Sequence, residues 1–305
     1  MTHKLPLGAW RRKKLVDRQE QMAVIRTAFA KQVLAAAGVV DAGLEAAFAV
    51  TRREDFLGPG PWQILRRFRD YAETPDADPV YLYSDDLVGI LPARRINNGQ
   101  PSLHAHLIHQ AAPGPGDRVV HIGTGTGYYT AILAHLAGPA GRVIGIEYDP
   151  ELASRAAACL ATYQTVSIIQ GDGALVAFDE ADVIYVNAGC TQPAECWLDR
   201  LAEGGRLILP LTSDQGFGGT SSDRMAQAGA VFRIERRGQD YFARWISAVA
   251  IFPCAGNRDE ASERLLADAF AKGGWERVTR LYRRQYIEGI SDESFWIKNP
   301  AWGLA

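Results

Sequence analysis

The chain is short of cysteine, of net charge and of long apolar runs. Its 305 residues hold four cysteines, Cys159, Cys190, Cys196 and Cys254, and none forms a CxxC pair. That spacing excludes the common structural zinc sites, and so sparse a set makes no disulfide framework in a chain of this size. The formal net charge is -2, so composition gives no electrostatic footprint for nucleic acid or an anionic membrane. The basic run at residues 11–14 reads as a solvated arm. No apolar stretch reaches the roughly 18 residues that span a bilayer. The opening "MTHKLPLGAWRRKK" lacks the continuous apolar segment of a secretory signal. Repeats and low-complexity tracts are absent too. A reduced, cytoplasmic setting is the expectation.

Hydrophobic residues make up 47% and charged residues 22%, which suits a globular protein with a sizeable core. Residues 17–50 space apolar side chains at helical intervals, with Gly38 as a stop and Asp41 as the cap of a second helix. Gly58 to Pro61 break that pattern. Residues 72–80 read as loop, and 80–91 as short strand-like pieces. From Ser102 the pattern becomes regular. Helices are predicted at 102–112, 127–138, 150–163 and 194–205, and strands at 118–123, 141–149, 166–172, 181–189 and 206–211. Such alternation predicts an α/β, Rossmann-like, doubly wound and mostly parallel sheet covered on both faces. Two late strands, 231–237 and 245–252, are expected as an antiparallel edge, followed by a helix at 260–274. The final "SFWIKNPAWGLA" has no clear period. The expected division is a helical N-terminal cap and substrate-side segment (1–100), a Rossmann-like domain (101–255) and a C-terminal extension (256–305).

The chemistry concentrates at "VVHIGTGTGYYT". A strand that runs into a glycine turn and then a helix brings backbone close to a nucleotide-like ligand. Gly123, Gly125 and Gly127 alternate, which departs from the GxGxxG of dinucleotide folds. Glu147 ends the next strand, twenty residues after Gly127, where a carboxylate can accept ribose hydroxyls. Asp172, in "QGDG", can accept from an adenine amino group. Asn187, in "VNAG", stands at the rim of the fourth strand. His121 occupies a position that is often acidic. It reads either as a buried histidine hydrogen-bonded beneath the turn or as a contact to ligand or substrate.

Together these residues resemble the class I S-adenosylmethionine-dependent methyltransferases. More narrowly, "TRREDFLGP", "HLIHQAAPGPGDRVVHIGTGTGYYTAILAHLAG", "GRVIGIEYDPEL", "QGDG" and "DVIYVNAGCTQPAECWLDRLAEGGRLILPL" are similar to the protein-L-isoaspartate O-methyltransferases. The resemblance spans residues 17–255. It implies S-adenosyl-L-methionine as donor and S-adenosyl-L-homocysteine as product. The implied contacts are His121, Gly123, Thr124, Gly125, Gly127, Glu147, Tyr148, Asp172, Gly173 and Asn187, with no metal. The implied acceptor is a protein or peptide carboxylate, L-isoaspartyl residues first. One departure stands out. The family carries Thr-Ile-Ser-x-Pro before the helix preceding the first strand. Here Asn97 stands at the threonine and Gly99 at the serine, and Ser102 restores a hydroxyl three positions later. Restoring the serine at position 99 is the direct test of that departure.

Asn98, Gln100 and Ser102 could orient the acceptor through neutral hydrogen bonds. A carboxylate acceptor is already ionised near pH 7. A hydroxyl acceptor would need a base, for which His104 and His121 are the candidates. A different acceptor (a modified peptide or small acid), a non-catalytic S-adenosylmethionine-binding protein and a dinucleotide oxidoreductase are the alternative readings. His106 and His109 share a helix face but lack a further ligand, so no metal site is expected. Trp197 and Trp275 read as core. Trp296 and Trp302 either pack on the domain or fold over a pocket. The glycine- and serine-rich loop at 213–225 is expected to border the acceptor site.

Overall fold

The computed structural model describes residues 17–65, 70–94, 96–214, 229–287 and 290–305. The basic run at 11–14 and most of the loop at 213–225 lie outside these residues.

Two helices open the described chain, α1 (Arg18–Ala36) and α2 (Ala42–Val50). Gly38 adopts φ +65° where α1 has ended. The Asp41 carboxylate then accepts from the Leu44 N–H at 2.9 Å and caps α2, satisfying one of the donors a helix start leaves open. The N-terminal segment is not helical throughout. Strands β1 (Gln63–Leu65), β2 (Tyr71–Glu73), β3 (Leu87–Leu91) and β4 (Ile96–Asn97) form a small antiparallel sheet in the order β2-β1-β3-β4.

Among the described residues the main sheet has ten strands. Its parallel half comprises β5 (Arg118–Ile122), β6 (Arg142–Glu147), β7 (Val166–Gln170), β8 (Ala181–Val186) and β9 (Leu201–Thr212). The antiparallel half comprises β10 (Gly229–Arg237), β11 (Asp240–Ala248), β12 (Arg280–Arg283), β13 (Ile297–Lys298) and β14 (Trp302–Leu304). The order is β13-β14-β12-β11-β10-β9-β8-β5-β6-β7. Helices α3 (Pro101–Ala111), α4 (Tyr128–Ala137), α5 (Pro150–Cys159), α6 (Glu195–Asp199) and α7 (Glu260–Lys272) are the remaining α-helices among the described residues. Side chains alternate across the strands. Val119, Val183, Tyr185 and Ile208 join the core that contains α1 to α4. Val120, Ile122, Ile184, Val186, Leu207 and Leu209 join a second core with Trp197, Phe270 and the tail. Both faces are therefore covered, as the α/β pattern predicts.

Three elements differ from the sequence reading. The helix expected at 194–205 ends at Asp199, and Leu201 already faces Ala181. The next register pair is Val183 with Arg206, so residues 202–205 bulge out, with Gly204 at φ +70°. A bulge needs such a residue. The strand expected at 245–252 is instead β11, which starts at Asp240 after a turn with Gly238 at φ +62°. Its expected second half leaves the sheet, and the Phe252 carbonyl accepts from the Gly189 N–H at 2.7 Å. The antiparallel part is also larger than a two-strand edge, because the tail adds β12 to β14. Trp302 is buried, and Trp296 packs on Phe232, Phe270 and Trp275 with ring centroids 5.6, 5.4 and 6.5 Å apart. The tail is thus part of the core. Trp197 is fully buried, whereas Trp275 is partly exposed.

Candidate functional site

Strand β5 lies between β6 and β8, so the chain leaves it on one side and returns on the other. Ligands of open α/β sheets bind at such a switch point, beyond the carboxyl ends of the strands. Glu147 is the last residue of β6, and Gly123, Asp172 and Asn187 follow the ends of β5, β7 and β8.

The three turn glycines have different reasons to be glycine. All have positive φ, +76° at Gly123, +59° at Gly125 and +98° at Gly127. A Cβ on Gly123 would lie 2.9 Å from the Asn187 carbonyl oxygen, and one on Gly127 would lie 2.6 Å from Leu160 Cδ1. Those two are needed for packing. A Cβ on Gly125 would meet nothing nearer than Ile90 Cδ1 at 3.9 Å. Gly125 therefore leaves free space over bare backbone, the cradle that a nucleotide-like group requires.

Glu147 is anchored beside that space. One carboxylate oxygen accepts from the Gly125 N–H at 2.7 Å and the other from the Asp149 N–H at 3.0 Å. Burial pushes its pKa up, and those backbone donors pull against the shift. Each oxygen keeps a lone pair for a further donor. The neighbouring Tyr148 ring is 53% exposed, a large apolar face in solvent at the same strand end. The Thr124 hydroxyl is turned inward, donating to the His121 carbonyl at 3.2 Å. Asn187 Nδ2 donates to the Gly123 carbonyl at 3.3 Å and so braces the turn from β8.

Asp172 accepts from the Ala174 N–H at 2.9 Å. Gly173 packs on β5, where a Cβ would come within 2.4 Å of Ile122 Cγ2. Asp172, Leu175, Gln192, Gly256, Asn257 and Trp302 help to line a cavity of about 490 Å³. The Asp172 carboxylate also abuts Gly256, whose Cβ would lie 2.1 Å from Oδ2. Sequence reasoning missed Gly256, since nothing local ties it to a strand end 84 positions earlier.

On the other side of the turn, the carboxylate of Asp85 organises the start of α3. It accepts from the Ser102 N–H at 2.7 Å, from Ser102 Oγ at 2.6 Å and from Gln100 Nε2 at 2.9 Å. The signal was indirect: α3 begins without a capping side chain, so its open N–H groups need an acceptor from elsewhere. The structure thus joins Gln100 and Ser102 through Asp85, a residue the sequence reading did not single out. Asn98 is buried beside them, with its Nδ2 unpartnered.

Gly99 has φ +73°, and a Cβ there would lie 2.2 Å from His104 Nε2. The space a side chain at 99 would need is filled by that imidazole. His104 stacks on Tyr129, with ring centroids 3.7 Å apart, and its Nδ1 hydrogen-bonds Tyr185 Oη at 2.7 Å. His121 lies on the same sheet face, with Nδ1 bonded to Thr130 Oγ1 at 2.8 Å and Nε2 unpartnered. Burial lowers the pKa of both histidines to about 3, so both are neutral near pH 7. The other two members of "HAHLIH" serve packing. His106 Nε2 bonds the Ile246 carbonyl at 3.0 Å and His109 Nδ1 bonds Asp41 at 3.0 Å. Among the described residues no group of histidine, cysteine, aspartate and glutamate could hold a metal ion.

The model of the protein-L-isoaspartate(D-aspartate) O-methyltransferase family matches residues 76–230. A protein-L-isoaspartate O-methyltransferase 2 of Archaeoglobus fulgidus is 42% identical over 100 residues, 32% of this chain and 46% of that protein. The chain therefore spans about half the length of that relative. A protein-L-isoaspartate O-methyltransferase of Koribacter versatilis is 34% identical over 182 residues, 58% of this chain and 72% of that protein. A Plasmodium falciparum protein solved in complex with S-adenosyl-L-homocysteine superposes with a TM-score of 0.57 at 18% identity, covering 76% of this chain and 99% of that one. That likeness shows the shared fold. The matched segment contains the turn, Glu147, Asp172 and Asn187, and it takes in half of the chain: the protein belongs to the protein-L-isoaspartate(D-aspartate) O-methyltransferase family.

Proposed function

We propose that the protein is an S-adenosyl-L-methionine-dependent O-methyltransferase that methylates a carboxylate, with L-isoaspartyl residues of proteins or peptides as acceptor. The observation that carries this reading is the open left-handed Gly125 beside the anchored Glu147 at the sheet's switch point, within a segment matched by the family. The bound donor would supply an activated methyl group on a sulfonium. Gly123, Gly125 and Gly127 would give it backbone, Glu147 its ribose contacts, and Asp172 its adenine contact. Tyr148 and Asn187 would flank it, with Thr124, Gly173 and His121 shaping the turn from behind. In-line transfer needs mainly positioning. A carboxylate acceptor arrives ionised, so no base is required, and His104 and His121 can stay neutral and buried. In this reading Asn98 meets the acceptor, while Asp85 holds Gln100 and Ser102 in place. A cytoplasmic location and a role in protein repair belong to the same proposal.

The test is transfer of a labelled methyl group to an L-isoaspartyl peptide, with the aspartyl peptide as control. Selective, base-labile labelling supports the reading. Binding of S-adenosyl-L-homocysteine without labelling would move the acceptor to another carboxylate. Failure of both would refute the assignment.

A further inference from the structure

Cys190 and Cys254 face each other across two segments that run in parallel. Gly189 pairs with Pro253, and the Cys254 N–H donates to the Gly189 carbonyl at 2.8 Å. The next residue on each segment is the cysteine, so the two thiols lie on the same side of neighbouring backbones. Opposed residues on paired strands stand about 4.8 Å apart, inside the window for a disulfide. Their environments differ. Cys190 is fully buried, whereas Cys254 is partly exposed. The Cys190 thiol donates to the Ala188 carbonyl at 3.5 Å, and the nearness of the two sulfurs, with burial, pushes Cys190 up, while that nearness brings Cys254 below its ordinary value. A solvent-reachable thiolate backed by a buried thiol is the arrangement of a redox-sensing pair.

We propose that Cys190 and Cys254 form an oxidation site that closes to a disulfide and fixes the 252–257 segment against Asp172. The consequence for ligand binding rests on the reading of Asp172 as the adenine partner. Gly256, two residues after Cys254, already presses on the Asp172 carboxylate. Breakable contacts hold the segment there: Asn257 Nδ2 donates to the Gln192 carbonyl at 2.7 Å, and Arg258 Nη1 to the Gly189 carbonyl at 2.8 Å. An adenine amino group reaching Asp172 needs the segment to yield, and a covalent link would prevent that. The oxidant is hydrogen peroxide. The Cys254 thiolate attacks one peroxide oxygen, the O–O bond breaks and hydroxide leaves, so sulfur is oxidised to the sulfenic acid and peroxide is reduced. The Cys190 sulfur then attacks the Cys254 sulfur. The S–O bond breaks, and the departing hydroxide takes the Cys190 proton as water. A small dithiol reverses the reaction.

The full-length protein would be treated with stoichiometric hydrogen peroxide and mapped by peptide mass spectrometry, with S-adenosyl-L-homocysteine binding measured by calorimetry before and after. The expected result is a Cys190–Cys254 cross-link that persists in Cys159→Ser and Cys196→Ser but is lost in Cys254→Ser and in Cys190→Ala. Affinity should fall by about tenfold or more on oxidation and return with dithiothreitol. A cross-link to Cys159 or Cys196, over-oxidation of Cys254 without any cross-link, or a cross-linked protein with unchanged affinity would each overturn the proposal. Failure of the reduced protein to bind S-adenosyl-L-homocysteine would instead count against the cofactor reading, because the cross-link is read without ligand.

Discussion

Gly125→Ala separates a binding glycine from a folding one. At φ +59° an added Cβ strains the backbone, which costs about 1–2 kcal/mol for an L-residue in the left-handed region. Nothing lies nearer than 3.9 Å to that Cβ, so no packing cost is added. The midpoint of thermal unfolding should therefore fall by only roughly 2–3 °C. The same methyl group stands in the space assigned to the cofactor. Calorimetry with S-adenosyl-L-homocysteine should show affinity weakened by at least about 100-fold, or about 2.7 kcal/mol. Gly123→Ala reverses the order of effects. Its Cβ meets the Asn187 carbonyl at 2.9 Å, backbone that cannot step aside, so unfolding should shift further than for Gly125→Ala. A folded Gly125→Ala protein that binds S-adenosyl-L-homocysteine like the parent would refute the placement of the cofactor over this turn.

Three further outcomes are expected. Gly99→Ser should destabilise by about 2–4 kcal/mol in urea unfolding, from backbone strain and the clash with His104. The double change with His104→Ala should recover part of that loss, and equal stability of the single variant and the parent would contradict the packing described. Asp85→Ala should free Ser102 and Gln100, raising KM for an acceptor peptide by about tenfold, or about 1.4 kcal/mol, while S-adenosyl-L-homocysteine affinity holds. An unchanged KM would remove Asp85 from the acceptor side. The buried histidines set a pH dependence. Their folded pKa of about 3 lies below the unfolded value of 6.5, so the unfolded chain binds more protons between those values. Their contribution is complete above pH 6.5 and is lost as pH falls toward 3, at about 1.4 kcal/mol per pH unit for each. Urea unfolding from pH 7 to 5 should show that slope, and His121→Asn should reduce it by one proton. The same slope in both proteins would rule out His121 as a source.

The parallel half of the sheet was legible because its signals are local. A buried strand, a glycine turn and a helix follow one another within residues 118–137, and Glu147 and Asp172 mark the next strand ends. Asp41 as a cap and Gly38 as a stop were legible for the same reason. What stayed hidden depends on partners distant in the chain. Asp85 reaches α3 from seventeen positions away, and no periodicity connects them. The missing serine at 99 reads as a loss until His104 is seen in the space it would fill. Residues 201–205 looked like the end of a helix because leucine, alanine and glutamate favour one. Pairing with β8 and a left-handed Gly204 override that preference. The tail lacked a period because its strands are two and three residues long, too short to display one.

The tail also decides where the sheet stops. Neighbouring strands rotate by roughly 20–25°, so ten of them turn the sheet through roughly half a revolution. The β13 rim is blunt: two residues long, bearing Lys298 and followed by Asn299 and Pro300, it offers a passing strand almost no backbone to copy and a charge to bury. Among the described residues the β7 rim is longer, five residues against two. A borrowed strand, from a second copy or from an extended peptide, would therefore find more backbone to pair with at β7 than at β13.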